Sequence, residues 1–239
     1  MRNAFLLPLL ASLPSLVGCL SRCPEVAALE GEPSLLTVGD SLLASHANLC
    51  ASIPDAVSLE LGRPGENRSV GGSRVLGGDD AIPGQVVAGD WDWVIVDGGG
   101  NDLNEVCATD GEAAVIQELV DENGQEGAMP ALVDRLVEGG ARVALLGYYP
   151  MRDGALLGFD DCDAAFAELN QRYTDVAALR EGVVFVDLGQ AIDPEGTPSA
   201  YFLDGVHPSR YGATLAGELV ARRIREAEQA GGEEASADP

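Results

Sequence analysis

The sequence predicts an α/β protein, a three-layer α/β/α sandwich with a mostly parallel sheet of about five strands. Short apolar runs bounded by Gly or Asp, such as residues 34–38 and 93–96, read as strands buried on both faces. Between such runs lie stretches with apolar residues at helical spacing, clearest in Phe166, Leu169, Tyr173, Val176 and Ala177. Strands alternating with helices imply a parallel sheet covered on both faces. A chain of 239 residues, 46% of them apolar, is long enough to bury one sizeable core.

In chain order, residues 20–33 read as a tether, with Pro24, Gly31 and Pro33. Residues 34–38 form the first strand, 42–50 a helix, and 57–61 a second strand by alternation. Residues 62–84 are a glycine-rich loop region of weak order, and 93–96 a strand ending in Asp97 and three glycines. Helices follow at 112–121 and 130–138, then a strand at 142–146. A helix at 162–179 has Asp160 and Asp161 as N-cap candidates; a strand at 183–186 and an amphipathic helix at 209–227 complete the pattern. Residues 230–239, rich in Gly, Glu, Ala and Asp, are expected to form a disordered tail. The chain then divides into a leader (1–18), a tether (19–33), one domain (34–228) and an acidic tail (229–239).

Charge narrows the function classes. Lys plus Arg total 14 against 39 Asp plus Glu, a formal net charge of −25, and no basic stripe offers itself to phosphates. Nucleic acid is therefore not an expected partner, and oligomeric state is left open.

The first residues read as an export signal: Arg2, then no charge from Ala4 to Val17, then Gly18-Cys19. Leu16-Val17-Gly18-Cys19 resembles the bacterial lipobox, in which small residues precede a Cys that is lipidated before cleavage. The resemblance implies a mature chain beginning at Cys19 on a lipid anchor at the cell envelope. The competing reading is an ordinary cleaved signal peptide with a chance Cys. Four further cysteines, Cys23, Cys50, Cys107 and Cys162, are an even number and favour two disulfides in an exported chain. Neither a C-x-x-C pair nor a Cys/His cluster points to a metal, and the acidic run Asp160-Asp161-Cys162-Asp163 lacks an EF-hand spacing.

Four polar segments sit at or beyond the carboxyl ends of strands, where parallel sheets place their ligands. Gly39-Asp40-Ser41-Leu42 puts a serine hydroxyl and its own N–H at a strand-to-helix turn; a plain N-cap serine is the bland alternative. Gly71-Gly72 offers backbone N–H groups with no side chain in the way. Gly99-Gly100-Asn101-Asp102 aims an amide toward the same region. In Asp204-Gly205-Val206-His207-Pro208, acid and imidazole three residues apart share one face of a turn, leaving Nε2 free to take a proton. His46, the other histidine, is rotated away from Ser41 on the expected helix and reads as a structural residue.

Together these four segments, in this order from about Leu35 to Ala227, resemble the blocks of the SGNH/GDSL serine hydrolases. The resemblance implies a flavodoxin-like sheet, hydrolysis of carboxylic esters through an acyl-enzyme, and no cofactor or metal. It makes Ser41 the nucleophile, His207 the general base and Asp204 its orienting acid. The oxyanion hole would be the N–H groups of Ser41 and Gly72 with the Asn101 side chain, Gly71 being the alternative donor. The G-x-S-x-G elbow of ordinary α/β-hydrolases is absent from the sequence. A non-catalytic envelope-binding lipoprotein is the second function class. Substrates range from acetylated carbohydrates and small esters to lipid esters, with Tyr148 and Tyr149 as candidate pocket residues.

Topology suggests the disulfide pairing. If the helix at 42–50 runs back down the sheet, Cys50 lies near the start of the first strand, within reach of Cys23. Cys107 and Cys162 both follow strand ends at the opposite, carboxyl edge. The expected pairs are Cys23–Cys50 and Cys107–Cys162, because crossing them would require spanning the sheet against a Cα limit of ~7 Å.

Overall fold

The computed structural model describes residues 23–237. Cys19 and the apolar stretch before it, on which the lipobox reading rests, lie outside the described residues. The elements in order are α1 (Pro24–Ala27), β1 (Leu35–Val38), α2 (Ser41–Ala44), α3 (Ile53–Leu61), β2 (Gly65–Asn67), α4 (Ile82–Gln85) and β3 (Trp93–Val96). Then come α5 (Gly100–Leu103), α6 (Glu112–Leu119), α7 (Ala128–Glu138), β4 (Arg142–Gly147), α8 (Asp163–Ala178), β5 (Val183–Asp187) and α9 (Arg210–Ala237). The five strands are all parallel, in the order β2-β1-β3-β4-β5. Helices α3 and α9 pack together on one face, and α6 packs with α7 and α8 on the other. The result is a three-layer sandwich, with the first strand flanked on both sides by later ones.

The central strands are continuous apolar runs because both faces are covered. Every residue of β1 and β3 is buried, and Trp93 is completely enclosed. At the amino end of β3 the Trp93 indole donates to Glu228 at 3.0 Å, and the Arg142 guanidinium lies 4.6 Å from the ring centre. Glu228 also holds Arg63 and Arg142, so one carboxylate of α9 ties down the lower edge of the sheet.

Several local expectations are corrected. The helix expected at 42–50 stops after one turn: His46 and Cys50 take left-handed φ values of 63° and 56°, and a 3-10 turn, Ala47–Leu49, lies between them. The alternating segment 57–61 is the second half of α3 and not a strand. Its start is fixed by a capping box, in which the Ser52 hydroxyl accepts from the Asp55 N–H and the Asp55 carboxylate accepts from the Ser52 N–H. Gly62, at φ 65°, closes the helix. The real second strand is Gly65–Asn67, which lacks an apolar pattern because it lies at the edge of the sheet.

Residues 62–84 are ordered by hydrogen bonds from neighbouring loops. Cys162, whose side chain makes no capping hydrogen bond, occupies the N-cap of α8 in place of Asp160 or Asp161. The chain expected to be a disordered tail continues α9 to Ala237, a run rich in Ala and Glu that favours helix.

Disulfides join Cys23 to Cys50 and Cys107 to Cys162. The location argued for the first pair is corrected. Because the chain turns at His46–Cys50 and descends only in α3, Cys50 lies at the carboxyl end of the sheet, next to the start of α3. Both bridges therefore staple the same end of the molecule.

Candidate active site

At the carboxyl edge of β1 the backbone passes through Gly39 into Asp40, which caps α2 by accepting from the Leu42 N–H at 2.9 Å. Ser41 is thus the first residue of the helix, and Asp40 rather than Ser41 is the cap. A first-turn N–H has no intrahelical partner, so the Ser41 N–H is left free for an external acceptor. The Ser41 hydroxyl makes no hydrogen bond to any described residue.

Gly71 and Gly72 form the centre of a turn closed by the Ser73 N–H on the Val70 carbonyl at 3.2 Å. Gly72, at φ 83°, occupies the position that a type II turn reserves for glycine. Neither glycine N–H is taken by a described residue. The turn lies against the serine: a Cβ on Gly71 would sit 3.7 Å from the Ser41 Cβ. A hydrogen bond from Val70 N–H to the Gly39 carbonyl, 3.1 Å, fixes that approach.

Asn101 opens α5. Its Nδ2 donates to the Ser73 carbonyl at 3.0 Å and to Asp40 Oδ2 at a long 3.3 Å. Asp102 reaches the other way: its two oxygens accept from the Val75 and Leu76 N–H groups at 2.9 and 3.0 Å, so it anchors the loop after Gly72. Burial raises the Asp102 carboxyl above the ordinary range, against the lowering effect of those two N–H groups.

On the far side, Asp204 Oδ2 meets His207 Nδ1 at 2.8 Å, and Asp204 Oδ1 accepts the Val206 and His207 N–H groups at 2.9 Å each. Burial opposes ionisation of Asp204, but the bonds from His207 and Val206 outweigh it and hold the carboxyl below its ordinary value. The segment is tied to the serine turn by His46, whose Nε2 lies 2.9 Å from the Pro208 carbonyl oxygen. His46 is therefore structural, as expected, although it stands on a turn and not on a helix. The structure thus brings Ser41, Gly71, Gly72, Asn101, Asp204 and His207 to one end of the sheet.

Three groups hold this arrangement in roles that sequence reasoning did not assign them. Gln85 accepts from the Gly39 N–H at 2.7 Å and donates to the Gly39 carbonyl and the Ser73 hydroxyl, 3.0 Å each, clamping the serine turn to the glycine turn. Tyr148 donates to Asp40 Oδ2 at 2.9 Å and accepts from the Gly100 N–H at 2.8 Å. Asp97 Oδ1 accepts from the Asp40 N–H at 2.7 Å, while its Oδ2 is buried without a hydrogen-bond partner. Only Asp97 carried a signal, as a charge ending an apolar strand.

Tyr148 and Tyr149 do border a cavity, of about 260 Å³, with Pro150, Asp163, Phe166 and Asn170, but Ser41 does not line it; both rings are largely buried, and the Tyr149 hydroxyl donates to the Val206 carbonyl at 2.6 Å. A shallow concavity of about 160 Å³ opens beside Gly71 and Gly72. Larger ones, of about 590 and 420 Å³, lie at the amino end of the sheet around Trp93 and Trp91, away from these groups. Among the described residues no group of three His, Cys, Asp or Glu could hold a metal ion.

Comparison with known proteins agrees with this geometry. The fold is similar to that of the M. smegmatis aryl esterase in its inhibitor-bound form, with a TM-score of 0.62 at 15% identity, covering 82% of this chain and 100% of that one. It is also similar to a carbohydrate esterase family 2 enzyme with a carbohydrate binding domain from Corynascus thermopiles (Myceliophthora fergusii). There the TM-score is 0.57 at 16% identity, over 84% of this chain and 68% of the other. No curated protein matches the chain significantly in sequence. The family model for GDSL-like lipases and acylhydrolases matches residues 37–215, a span that begins inside β1 and ends beyond His207. With more than half of its length matched, the chain belongs to the GDSL-like lipase/acylhydrolase family.

Proposed function

We propose that the protein hydrolyses carboxylic esters through an acyl-enzyme on Ser41, working at the bacterial cell envelope on a lipid anchor at Cys19. The observation that carries the reading is the Asp204–His207 pair, bonded at 2.8 Å at the same end of the sheet as a helix-opening serine whose hydroxyl has no partner among the described residues. His207 Nε2 takes the Ser41 proton as Oγ attacks the ester carbonyl, and Asp204 keeps Nδ1–H in place and balances the imidazolium. The developing oxyanion is received by the N–H groups of Ser41 and Gly72, with Gly71 N–H adjacent, and by Asn101 Nδ2 in exchange for its 3.3 Å contact to Asp40. The alcohol leaves with the proton from His207. Water, deprotonated by the same imidazole, then releases the acid and restores Ser41. No step calls for a metal or cofactor. The two disulfides suit an exported chain, and no helix among the described residues is long and apolar enough to cross a membrane.

The test is hydrolysis of a soluble activated ester such as 4-nitrophenyl acetate. Ser41→Ala and His207→Ala are each expected to lower kcat/KM by at least about 10³-fold. His46→Ala removes only a positioning contact and is expected to cost about tenfold or less. Near-native turnover of Ser41→Ala, or equal losses at the two histidines, would overturn these assignments.

A further inference from the structure

We propose that the protein presents its reactive face to a lipid bilayer: the Cys23–Cys50 disulfide holds the anchored N-terminus beside that face, and an apolar rim around Asp204–His207 enters the surface. The proposal rests on the ester-hydrolase reading above and names its substrate class as acyl esters of membrane lipids with neutral headgroups. The reaction is unchanged: ester plus water gives acid plus alcohol, with Ser41 carrying the acyl group between the two halves.

The position of Cys50 carries the argument. α3 starts three residues beyond it and descends from the carboxyl end of the sheet to β2, so the bridge lies at the end where Ser41 and His207 meet. Cys19 precedes Cys23 by four residues, so an acylated Cys19 lies within ~14 Å of the bridge even with the chain fully extended. An anchor pinned so close to the reactive end turns that end toward the bilayer.

The apolar rim points the same way. Nine large hydrophobic side chains are exposed among the described residues, and Leu49, Val70, Leu156, Leu157, Phe202 and Leu203 are at this end. Leu203, immediately before Asp204, is 93% exposed. Leu156 N–H donates to the Asp204 carbonyl at 2.8 Å, and Phe202 N–H to the His207 carbonyl at 2.8 Å. Phe202 meets the His46 ring edge-on at 6.1 Å, and Leu49 N–H bonds the His46 carbonyl, so the rim continues to Cys50. Val70 flanks Ser41 on the opposite side through Gly39. Single exposed leucines call for no explanation, but a shared patch around a reactive centre does.

Leu157 adds an independent sign. It holds a left-handed φ of 65° between Gly154 and Gly158, a conformation that glycine adopts without strain, and its side chain gains no burial in return. Charge selects the headgroup. With a net charge of −25, and with Asp153, Asp160 and Asp161 exposed on the same loop as Leu157, an anionic surface would repel this face.

The test places tryptophan at Leu203 or at Leu179 in the full lipidated chain. Leu179 is 54% exposed and follows α8 at the amino end of the sheet, which makes it the control. Both variants carry Ser41→Ala so that lipid is not consumed, and both are reconstituted on phosphatidylcholine vesicles with and without dibrominated acyl chains. The fluorescence of Leu203→Trp is expected to shift to the blue and to be quenched at least about threefold more than that of Leu179→Trp, as for side chains buried ~5–10 Å into the interface. Adding Cys23→Ser and Cys50→Ser together should abolish the difference while the lipid keeps the chain on the vesicles. Equal quenching at the two positions, stronger quenching at Leu179, or a chain that does not partition with vesicles overturns the proposal. Failure of the hydrolase reading shows separately, as a native chain inactive on soluble 4-nitrophenyl acetate.

Discussion

Asp97 and Asp40 are buried side by side at the root of the serine turn, with 1% and 2% of their surface exposed. Three donors serve the Asp40 carboxylate: Leu42 N–H, the Tyr148 hydroxyl and Asn101 Nδ2. Asp97 receives only the Asp40 N–H and leaves one oxygen without a partner. Burial raises both carboxyls. Asp97 rises further because Asp40 faces it, so Asp97 is the neutral member of the pair. Its folded-state pKa then exceeds the unfolded value, and the folded chain keeps a proton that the unfolded chain releases. The stability this gives is fully present below the ordinary Asp pKa of ~3.9 and is lost as pH rises toward the raised value. Asp97→Asn, which copies the shape of the neutral carboxyl, should remove that decline. Urea unfolding from pH 5 to 9 checks it: the variant should gain on the native chain as pH rises, and parallel curves would refute the assignment.

Among the elements, α3 and α9 pack tightly against each other. A Cβ on Gly217 would lie 2.4 Å from the Ala56 Cβ and 3.0 Å from the Ile53 carbonyl oxygen, so the helices touch backbone to backbone at that point. Gly217→Ala has the better intrinsic helix propensity, by about 1 kcal/mol, yet overpacking costs about 1–3 kcal/mol and should prevail. The expected result is a net loss of stability on denaturant unfolding, and a more stable variant would show that the helices can separate freely. The same pair shows why one element was misread. Residues 57–61 alternate apolar and polar as a strand does, and the helix shows only when Ile53, Pro54, Val57 and Ser58 are taken together as one buried stripe. Ser52 and Asp55 form the capping box that starts the helix, a signal upstream of the short window in which alternation was read. Edge strand β2, with sequence Gly-Glu-Asn, has no pattern to read, because a strand with little buried surface needs no apolar residues.

At the scale of the molecule, an acidic chain carries Ser41, Asp204 and His207, both disulfides and, among the described residues, most of the exposed large apolar side chains at one end. The anchor reading makes a direct prediction there. Cys19→Ser should move the protein from the membrane fraction to a soluble or unprocessed form, with hydrolysis of 4-nitrophenyl acetate retained, since Cys19 has no part in the proposed reaction. A native chain recovered without lipid, with its N-terminus elsewhere than Cys19, would refute the anchor.

The sequence by itself determined the fold class, four of the five strands and the residues that meet at the carboxyl end of the sheet. Those features rest on local chemistry: buried parallel strands must be apolar, tight turns require glycine, and Asp204 and His207 are close enough in the chain to pair within one turn. The tertiary structure alone decided the clamps and the orientation. Gln85, Tyr148 and Asp97 reach their partners across 46, 108 and 57 residues, distances over which no spacing rule acts. The same holds for Cys50. Its pairing with Cys23 was reached by a topological argument, but which end of the sheet the bridge occupies depended on two left-handed residues, His46 and Cys50, that end the helix early. Left-handed backbone at non-glycine residues is stabilised by surrounding contacts, here the His46 bond to Pro208 and the disulfide itself, and those contacts exist only once the chain has folded.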